Sequence, residues 1–220
     1  MSYRFTKRTG GYSHGAFASL NLALHVGDDE SLVAQNRALA DKYLSPVQYM
    51  NQVHGNRIAI IEEQSEEAPT ADALVTGIPG ITLGVMVADC IPLLLHSKEI
   101  VAAVHVGRQG LMNSVTQLTI ELMREMGAST IQAVMGPSIC GHCYEVSEDV
   151  YHEVIAEHPS AKSTTTWGTL SLDLPEALRH VLAAEAVGVL DEFSCTFEDP
   201  ELFSYRRDGV TGRQAGLIRL

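Results

Sequence analysis

Residues 81–106 read ITLGVMVADCIPLLLHSKEIVAAVHV, and this stretch decides the fold. Three apolar runs, 81–88, 91–96 and 100–106, are separated only by Asp89-Cys90 and by Ser97-Lys98-Glu99. Half-buried strands alternate between apolar and polar residues. Runs this continuously rich in Val, Ile and Leu predict strands buried on both faces. With 72–76 they make four successive strands. Further strands fit 130–135, 189–194, 202–205 and 215–219, and 47–53 and 57–61 read as a strand pair joined at His54-Gly55-Asn56. A helix fits 30–43, with Leu32, Val33, Leu39, Ala40 and Tyr43 on one face. Leu111, Val115, Leu118, Leu122 and Met126 recur at helical spacing ahead of Gly127, a natural cap. Helices also fit 146–157 and 175–187, the second started by Asp173 just ahead of Pro175. The expectation is a single α+β domain over residues 1–220, a mixed β-sheet core covered by helices.

The chain has 220 residues, enough for one substantial core, and a hydrophobic share of 45% fits a folded protein. Its 15 basic against 27 acidic residues leave a formal charge of −12, which repels nucleic acid and anionic lipid. A small anionic substrate would need a local basic pocket. The opening residues, Met1 to Arg8, carry no apolar core of a secretory signal. The longest apolar run contains Asp89 and Pro92 and is too short to span a membrane. A cytoplasmic monomer with no nucleic-acid or membrane partner is expected, its four cysteines thiols or metal ligands rather than disulfides.

Three short segments carry the chemistry: Asn51-Gln52-Val53-His54-Gly55, Val87-Ala88-Asp89-Cys90-Ile91-Pro92 and Val104-His105-Val106-Gly107-Arg108-Gln109-Gly110. Each puts one metal-ligating side chain at a strand end beside a Gly or Pro turn. Two imidazoles and a thiolate suit Zn²⁺, and a three-ligand site leaves a fourth position for water or substrate. Taken singly, a buried Cys or His is as well explained by packing.

The whole chain resembles the YfiH-type laccase-domain family, whose members are called polyphenol oxidoreductases and purine nucleoside phosphorylases. Besides the three segments, the resemblance rests on Thr9-Gly10-Gly11-Tyr12-Ser13, Ser19-Leu20-Asn21-Leu22, His25-Val26-Gly27-Asp28 and Asn36-Arg37. It continues through Ala71-Asp72-Ala73, Met135-Gly136-Pro137-Ser138-Ile139, Cys143-Tyr144-Glu145-Val146 and Phe203-Ser204-Tyr205-Arg206-Arg207-Asp208. The resemblance implies a YfiH-like fold in which His54, Cys90 and His105 bind one catalytic zinc. It also implies phosphorolysis of adenosine, inosine and methylthioadenosine, with adenosine deamination beside it. One motif departs. Where the family reads His-Ala-Gly-Trp-Arg-Gly, this chain has His105-Val106-Gly107-Arg108-Gln109-Gly110, so the Trp is missing and the guanidinium sits one place earlier.

Other residues are weighed beside this set. Arg8, Arg37 and Arg108 are candidates for phosphate, against surface ion pairing. Gly10-Gly11 could let backbone N–H groups approach an anion. Asp89 could serve as a general acid or base or could support the ligands. Gln52 and Asp72 could bind substrate or back the ligands. His14 and His25 could line the pocket, and the Ser204–Asp208 loop could line it or pair with acidic surface. Cys140-Gly141-His142-Cys143 is half a zinc site without a second CxxC, and reads as a structural pair beside the active-site loop. Cys195 reads as core.

Three chemistries compete. A laccase needs several coppers and many histidines; this chain has nine and no His-x-His, so polyphenol oxidation would rest on Cu²⁺ displacing Zn²⁺ at one site. Nucleoside chemistry is what the resemblance favours: a water activated by the zinc could attack C6 of the purine in deamination, and arginines and backbone N–H groups could hold phosphate for phosphorolysis. A cysteine hydrolase would use Cys90 and His105 as a thiolate–imidazole pair, acting on an amide such as a peptidoglycan precursor.

Overall fold

In the computed structural model, residues 1–42, 44 and 46–220 are described. In chain order the strands are β1 (Ser2–Phe5), β2 (Val47–Gln48), β3 (Ile58–Ile60), β4 (Ala73–Thr76), β5 (Thr82–Val87) and β6 (Ile91–His96), then β7 (Val101–Val106), β8 (Gln132–Met135), β9 (Lys162–Thr164), β10 (Leu170–Leu172), β11 (Gly188–Asp191) and β12 (Gln214–Arg219). The α-helices are α1 (Glu30–Asp41), α2 (Arg108–Met112), α3 (Val115–Glu125), α4 (Glu148–Glu157), α5 (Leu174–Ala184) and the single turn α6 (Tyr205–Asp208).

Two mixed sheets lie face to face. One has the order β1-β12-β5-β2, the other β11-β8-β6-β7-β4-β3. The strand period of two sorts their side chains. Leu83, Val85 and Val87 of β5 and Ile218 of β12 meet Leu94, Ala103, Leu74 and Val134 of the larger sheet. The alternate residues Leu93, Leu95, Ala102 and Val104 face outward, where α3 and α5 cover them with Ile120, Met123, Leu178 and Leu182. On the far side of the smaller sheet, Met86, Ala215 and Leu217 pack under Leu20, Leu22 and Ala40. The layers therefore run helix, sheet, sheet, helices. At the centre of each sheet both faces are covered, which is why β5, β6 and β7 have no polar alternation.

The ends of the helices follow local chemistry. Asp173 caps α5, accepting from the Glu176 amide at 2.9 Å. Gly127, at φ +102°, ends α3: its own N–H donates to Arg124 O and the Ala128 N–H to Met123 O, a Schellman pair that needs a left-handed residue.

The mixed α+β architecture matches the expectation, with three local corrections. The segments 47–53 and 57–61 do not pair with each other. β2 runs parallel to β5 in one sheet and β3 parallel to β4 in the other, so His54 lies in a connection between sheets rather than in a hairpin. The apolar spacing from Leu111 to Met126 does not form one helix. Ser114, at φ +60°, breaks it, and α3 buries Val115, Thr119, Ile120 and Met123 while Leu118 is 38% exposed. Residues 202–205 are not a strand; Ser204 instead caps α6 by accepting from the Arg207 amide. The Tyr43 expected on the face of α1 lies outside the described residues. Among the described residues no helix is long and apolar enough to cross a membrane.

Candidate active site

The seam between the two sheets opens at one end, and the candidate site is built there. β5 belongs to the smaller sheet and β6 to the larger, so Ala88-Asp89-Cys90 crosses from one to the other. Asp89 makes this crossing at φ +93°, a region a non-glycine residue enters only under constraint. Its carboxylate supplies the constraint, with Oδ1 accepting from Thr196 Oγ1 and Oδ2 from the Arg206 amide, both at 2.6 Å.

His105 is near the end of β7 and points into the seam, on the same face as Ala103. Directly across the strand pair lies Asp72, whose carbonyl accepts the His105 N–H at 2.8 Å. The two side chains also join, His105 Nδ1 to Asp72 Oδ1 at 2.8 Å. Asp72 is completely buried, a cost that is recovered only through full hydrogen bonding. It accepts backbone N–H groups from His54 (2.9 Å), Gly55 (2.7 Å) and Val53 (3.3 Å) as well. One carboxylate thus orients the His105 ring and holds the turn that carries His54, itself at φ +58°.

The donor atoms of His54, Cys90 and His105 all lie within 4.8 Å of one another. His54 Nε2 is 3.9 Å from Cys90 Sγ, and the two imidazoles meet edge to face with centroids 4.7 Å apart. Because Asp72 occupies Nδ1 of His105, only Nε2 remains to face the group, the arrangement that metal-binding histidines use. Gly107 makes the approach possible: a Cβ there would stand 2.8 Å from Cys90 Sγ and 3.3 Å from His54 Cδ2. The residues fit a metal ion of the Zn²⁺ or Cu²⁺ type.

The electrostatics of the group are those of an ion pair. Burial opposes the Cys90 thiolate, yet the charge of His105 and hydrogen bonds from both histidines bring the thiol down to about 6. Burial likewise opposes the His105 imidazolium, and the Cys90 charge with the Asp72 hydrogen bond raises it to about 9. Burial works against the Asp72 carboxylate too, but its bonds to His105 and to the Gly55 amide hold it below its ordinary value.

A cavity of about 410 Å³ opens over His54, Cys90 and His105, within the range of small-molecule sites. Its walls include two aromatic rings, Tyr144 and Tyr205, and two cations, Arg206 and Arg213. Arg206 lies over the Tyr144 ring at 4.9 Å and Arg213 over the Tyr205 ring at 6.0 Å. His25 is also on the wall, and burial with the charges of Arg213 and Arg37 keeps its imidazole below its ordinary value. The acidic chain therefore has a basic corner here.

The expected substrate residues separate into two groups. Gln52 and Asp89 line the cavity. The Gln52 amide is already paired with Met86, donating to its carbonyl at 2.7 Å and accepting its N–H at 2.9 Å. Asp72 lies beneath the ligands instead of on the wall. Arg8, Arg37 and Arg108 are not on the cavity wall. Arg8 donates to Ala18 O and lies over Phe203. Arg37 donates to Leu22 O and stacks on Tyr49. Arg108 stands 3.6 Å from Glu153, and its charge acts on the Tyr144 hydroxyl. The Gly11 N–H is not open to an anion, since it donates to Ser19 Oγ at 3.0 Å. His14 is not on the cavity wall, whereas His25 is. Arg213 was missed in the sequence; its signal was a lone Arg between Gly212 and the final apolar strand.

Comparison with known proteins agrees over the whole chain. The family model described as multi-copper polyphenol oxidoreductase laccase matches residues 2–220. A purine nucleoside phosphorylase of Corynebacterium glutamicum is 45% identical, covering 98% of this chain and 93% of the relative. One from Deinococcus radiodurans is 38% identical over 100% and 89%. Among solved structures, a Neisseria meningitidis protein superposes with a TM-score of 0.90 at 36% identity, covering 99% of this chain and 93% of its own. Bacillus licheniformis YfiH gives 0.87 at 30% identity, covering 98% and 91%.

Proposed function

The chain belongs to the multi-copper polyphenol oxidoreductase laccase family, and within it we propose a zinc-dependent purine nucleoside phosphorylase acting on adenosine, inosine and methylthioadenosine, with adenosine deamination as a side activity. The observation that carries this reading is the cavity itself: a three-ligand metal group at its base, two tyrosine rings and two arginines on its walls. The similarity to proteins named purine nucleoside phosphorylase supports it.

His54, Cys90 and His105 would hold the metal, and its contribution when bound is Lewis acidity toward an oxygen or a water in the cavity. Tyr144 and Tyr205 offer flat apolar surface to a purine. Arg206 and Arg213 each give one guanidinium nitrogen to backbone carbonyls, of Glu145 and of Thr211 and Gly212, and offer their charge and remaining N–H donors to a phosphate beside the C1′ carbon. In phosphorolysis a phosphate oxygen bonds to C1′ as the bond from C1′ to the purine nitrogen breaks, and the departing purine must gain a proton. Asp89 is the carboxyl on the wall, placed to relay that proton from water in the cavity to a ring nitrogen. Its bonds to Thr196 and to the Arg206 amide hold it in place.

Chromatography of each nucleoside with zinc-loaded protein, with and without phosphate, tests the reading. Free base that depends on phosphate and is lost in His54→Ala supports it. Arg213→Ala should raise the KM for phosphate about 10-fold, the worth of one charged hydrogen bond. Inosine formed from adenosine without phosphate would make deamination the chief activity.

One observation favours a second reading. Cys90, His105 and Asp72 follow the order of a thiolate–imidazole–carboxylate triad, with the Cys90 thiol already down to about 6. This is a cysteine hydrolase acting on amides such as peptidoglycan precursors. Rapid iodoacetamide labelling of Cys90 in metal-loaded protein would favour it; protection by zinc favours the metal enzyme. Copper-dependent polyphenol oxidation would require Cu²⁺ on the same three ligands, since the other ligand cluster among the described residues contains no histidine.

A further inference from the structure

The CxxC at Cys140–Cys143 has a second half after all. Cys195 and Glu198 carry the same two-residue spacing, and the fold brings the two pairs together. The donor atoms of Cys140, Cys143, Cys195 and Glu198 lie within 4.8 Å of one another. We propose that these four side chains form a second metal site, a closed structural Zn²⁺ centre with three thiolates and one carboxylate.

Each half is built as a ligand-bearing turn. The Cys143 and Tyr144 amides both donate to the Cys140 carbonyl at 3.1 Å, which curls the loop so that both thiols face one side. Gly141 is required inside the curl, because a Cβ there would fall 2.7 Å from the Asp173 Cβ. The Glu198 amide donates to Cys195 O at 3.2 Å, curling the second half the same way. The halves then interlock. Ser138 and Cys195 form a parallel bridge, the Cys140 amide donates to Cys195 Sγ at 3.4 Å, and Cys143 Sγ donates to Glu198 Oε1 at 3.5 Å. His142, the remaining donor of the loop, is turned away and bonded to Thr164 O.

Paired ligands at two-residue spacing are the usual construction of a structural zinc site. Soft thiolates select zinc over magnesium or calcium. Ligands of tetrahedral zinc sit about 3.8 Å apart when both are sulfur, so loading asks each side chain to move by a fraction of an ångström. A disulfide would use two of the sulfurs and leave the third beside it, unpaired. Four protein donors fill the coordination sphere, so this centre would be structural, unlike the three-ligand site in the seam.

The position of the site gives it a role. Tyr144 follows Cys143 and forms part of the cavity wall, while Thr196 follows Cys195 and donates to Asp89 at 2.6 Å. A metal here would clamp the two loops that hold a wall and the carboxyl of the neighbouring cavity. The proposal does not depend on which reaction that cavity performs.

Cobalt is the probe. In a Cys90→Ser background, any sulfur-to-cobalt charge-transfer band must come from Cys140, Cys143 or Cys195. The expected result is tetrahedral cobalt with an intense charge-transfer band, about one ion per chain. Adding Glu198→Gln, an exposed position that keeps the fold, should weaken cobalt binding about 10-fold or more. Adding Cys195→Ser should remove the three-thiolate intensity. No charge-transfer band, with all three thiols freely titrated by a thiol reagent, overturns the proposal. So does a non-reduced mass two hydrogens light, which would mean a disulfide.

Discussion

Asp72 shows how much one buried side chain can organise. It holds His105 by its ring, His54 by its backbone, and the turn between the sheets by two further amides. Asp72→Asn keeps the shape and removes the charge, so zinc affinity should fall about 10- to 100-fold in a chelator competition. In metal-free protein, iodoacetamide labelling of Cys90 should rise with pH through about 6, because only the thiolate reacts. Asp72→Asn lowers the His105 imidazolium that supports this thiolate, so the rise should move to higher pH. An unchanged profile would mean that Asp72 does not govern the pair. Zinc affinity of the unmodified protein should increase with pH up to about 9, since the metal must displace the His105 proton. Gly107→Ala is a purely steric probe. At φ −92° the backbone accepts alanine, but the methyl would meet Cys90 Sγ and His54 Cδ2. Metal affinity should fall by one to two orders of magnitude, on the order of a disturbed ligand shell, with little change in the unfolding midpoint. Of the candidate site residues, His54, Cys90 and His105 were legible as chemistry at strand ends. That Arg8 and Arg37 lie off the cavity wall while Arg213 lies on it was not legible, because a cation in a sequence does not announce where the layers will carry it.

At the level of elements, helix and strand boundaries are set by a few side chains, and those that act locally were readable. Asp173 is the example: its carboxylate caps α5 by bonding the Glu176 amide, and Asp173→Ala should cost about 1 kcal/mol in denaturant unfolding. A loss near zero would show that Pro175 alone fixes the start of the helix. Gly127 was readable for the same reason. What local pattern could not reveal was the break at Ser114, where the spacing of apolar residues runs through a left-handed residue and changes which face is buried. Nor could it tell that β2 and β3, close in sequence, would join different sheets. Pairing over long separations depends on the whole arrangement of layers, and the apolar character of a short strand does not name its partner. The pairing of Cys140 and Cys143 with Cys195 and Glu198 was hidden for that reason, and because a carboxylate stands where a CxxC pattern leads one to seek a fourth sulfur.

The whole molecule is an acidic body with one basic corner. A charge of −12 keeps polyanions at a distance, while Arg206, Arg213 and His25 gather on a single cavity. The body is held by the layer between the sheets, where Leu94, Leu74, Leu83 and Val134 are completely shielded from solvent. Leu94→Ala should cost about 2–5 kcal/mol, measured by equilibrium unfolding. A smaller cost would show that the sheets close over the lost volume. The crossing from β5 to β6 has a wider meaning. Cys90 directly precedes β6, His105 lies on its partner β7, and Asp72, next to β4 of the same sheet, holds the His54 turn. The three candidate ligands therefore hang together on the larger sheet, whereas Met86, Val87 and Arg213 of the cavity wall belong to or adjoin strands of the smaller one. Sliding of one sheet over the other shifts this wall across the ligand group without parting the group itself. Substitutions far from the cavity that loosen the seam should first appear as a raised KM for phosphate at unchanged metal affinity, in a protein whose secondary structure is still intact.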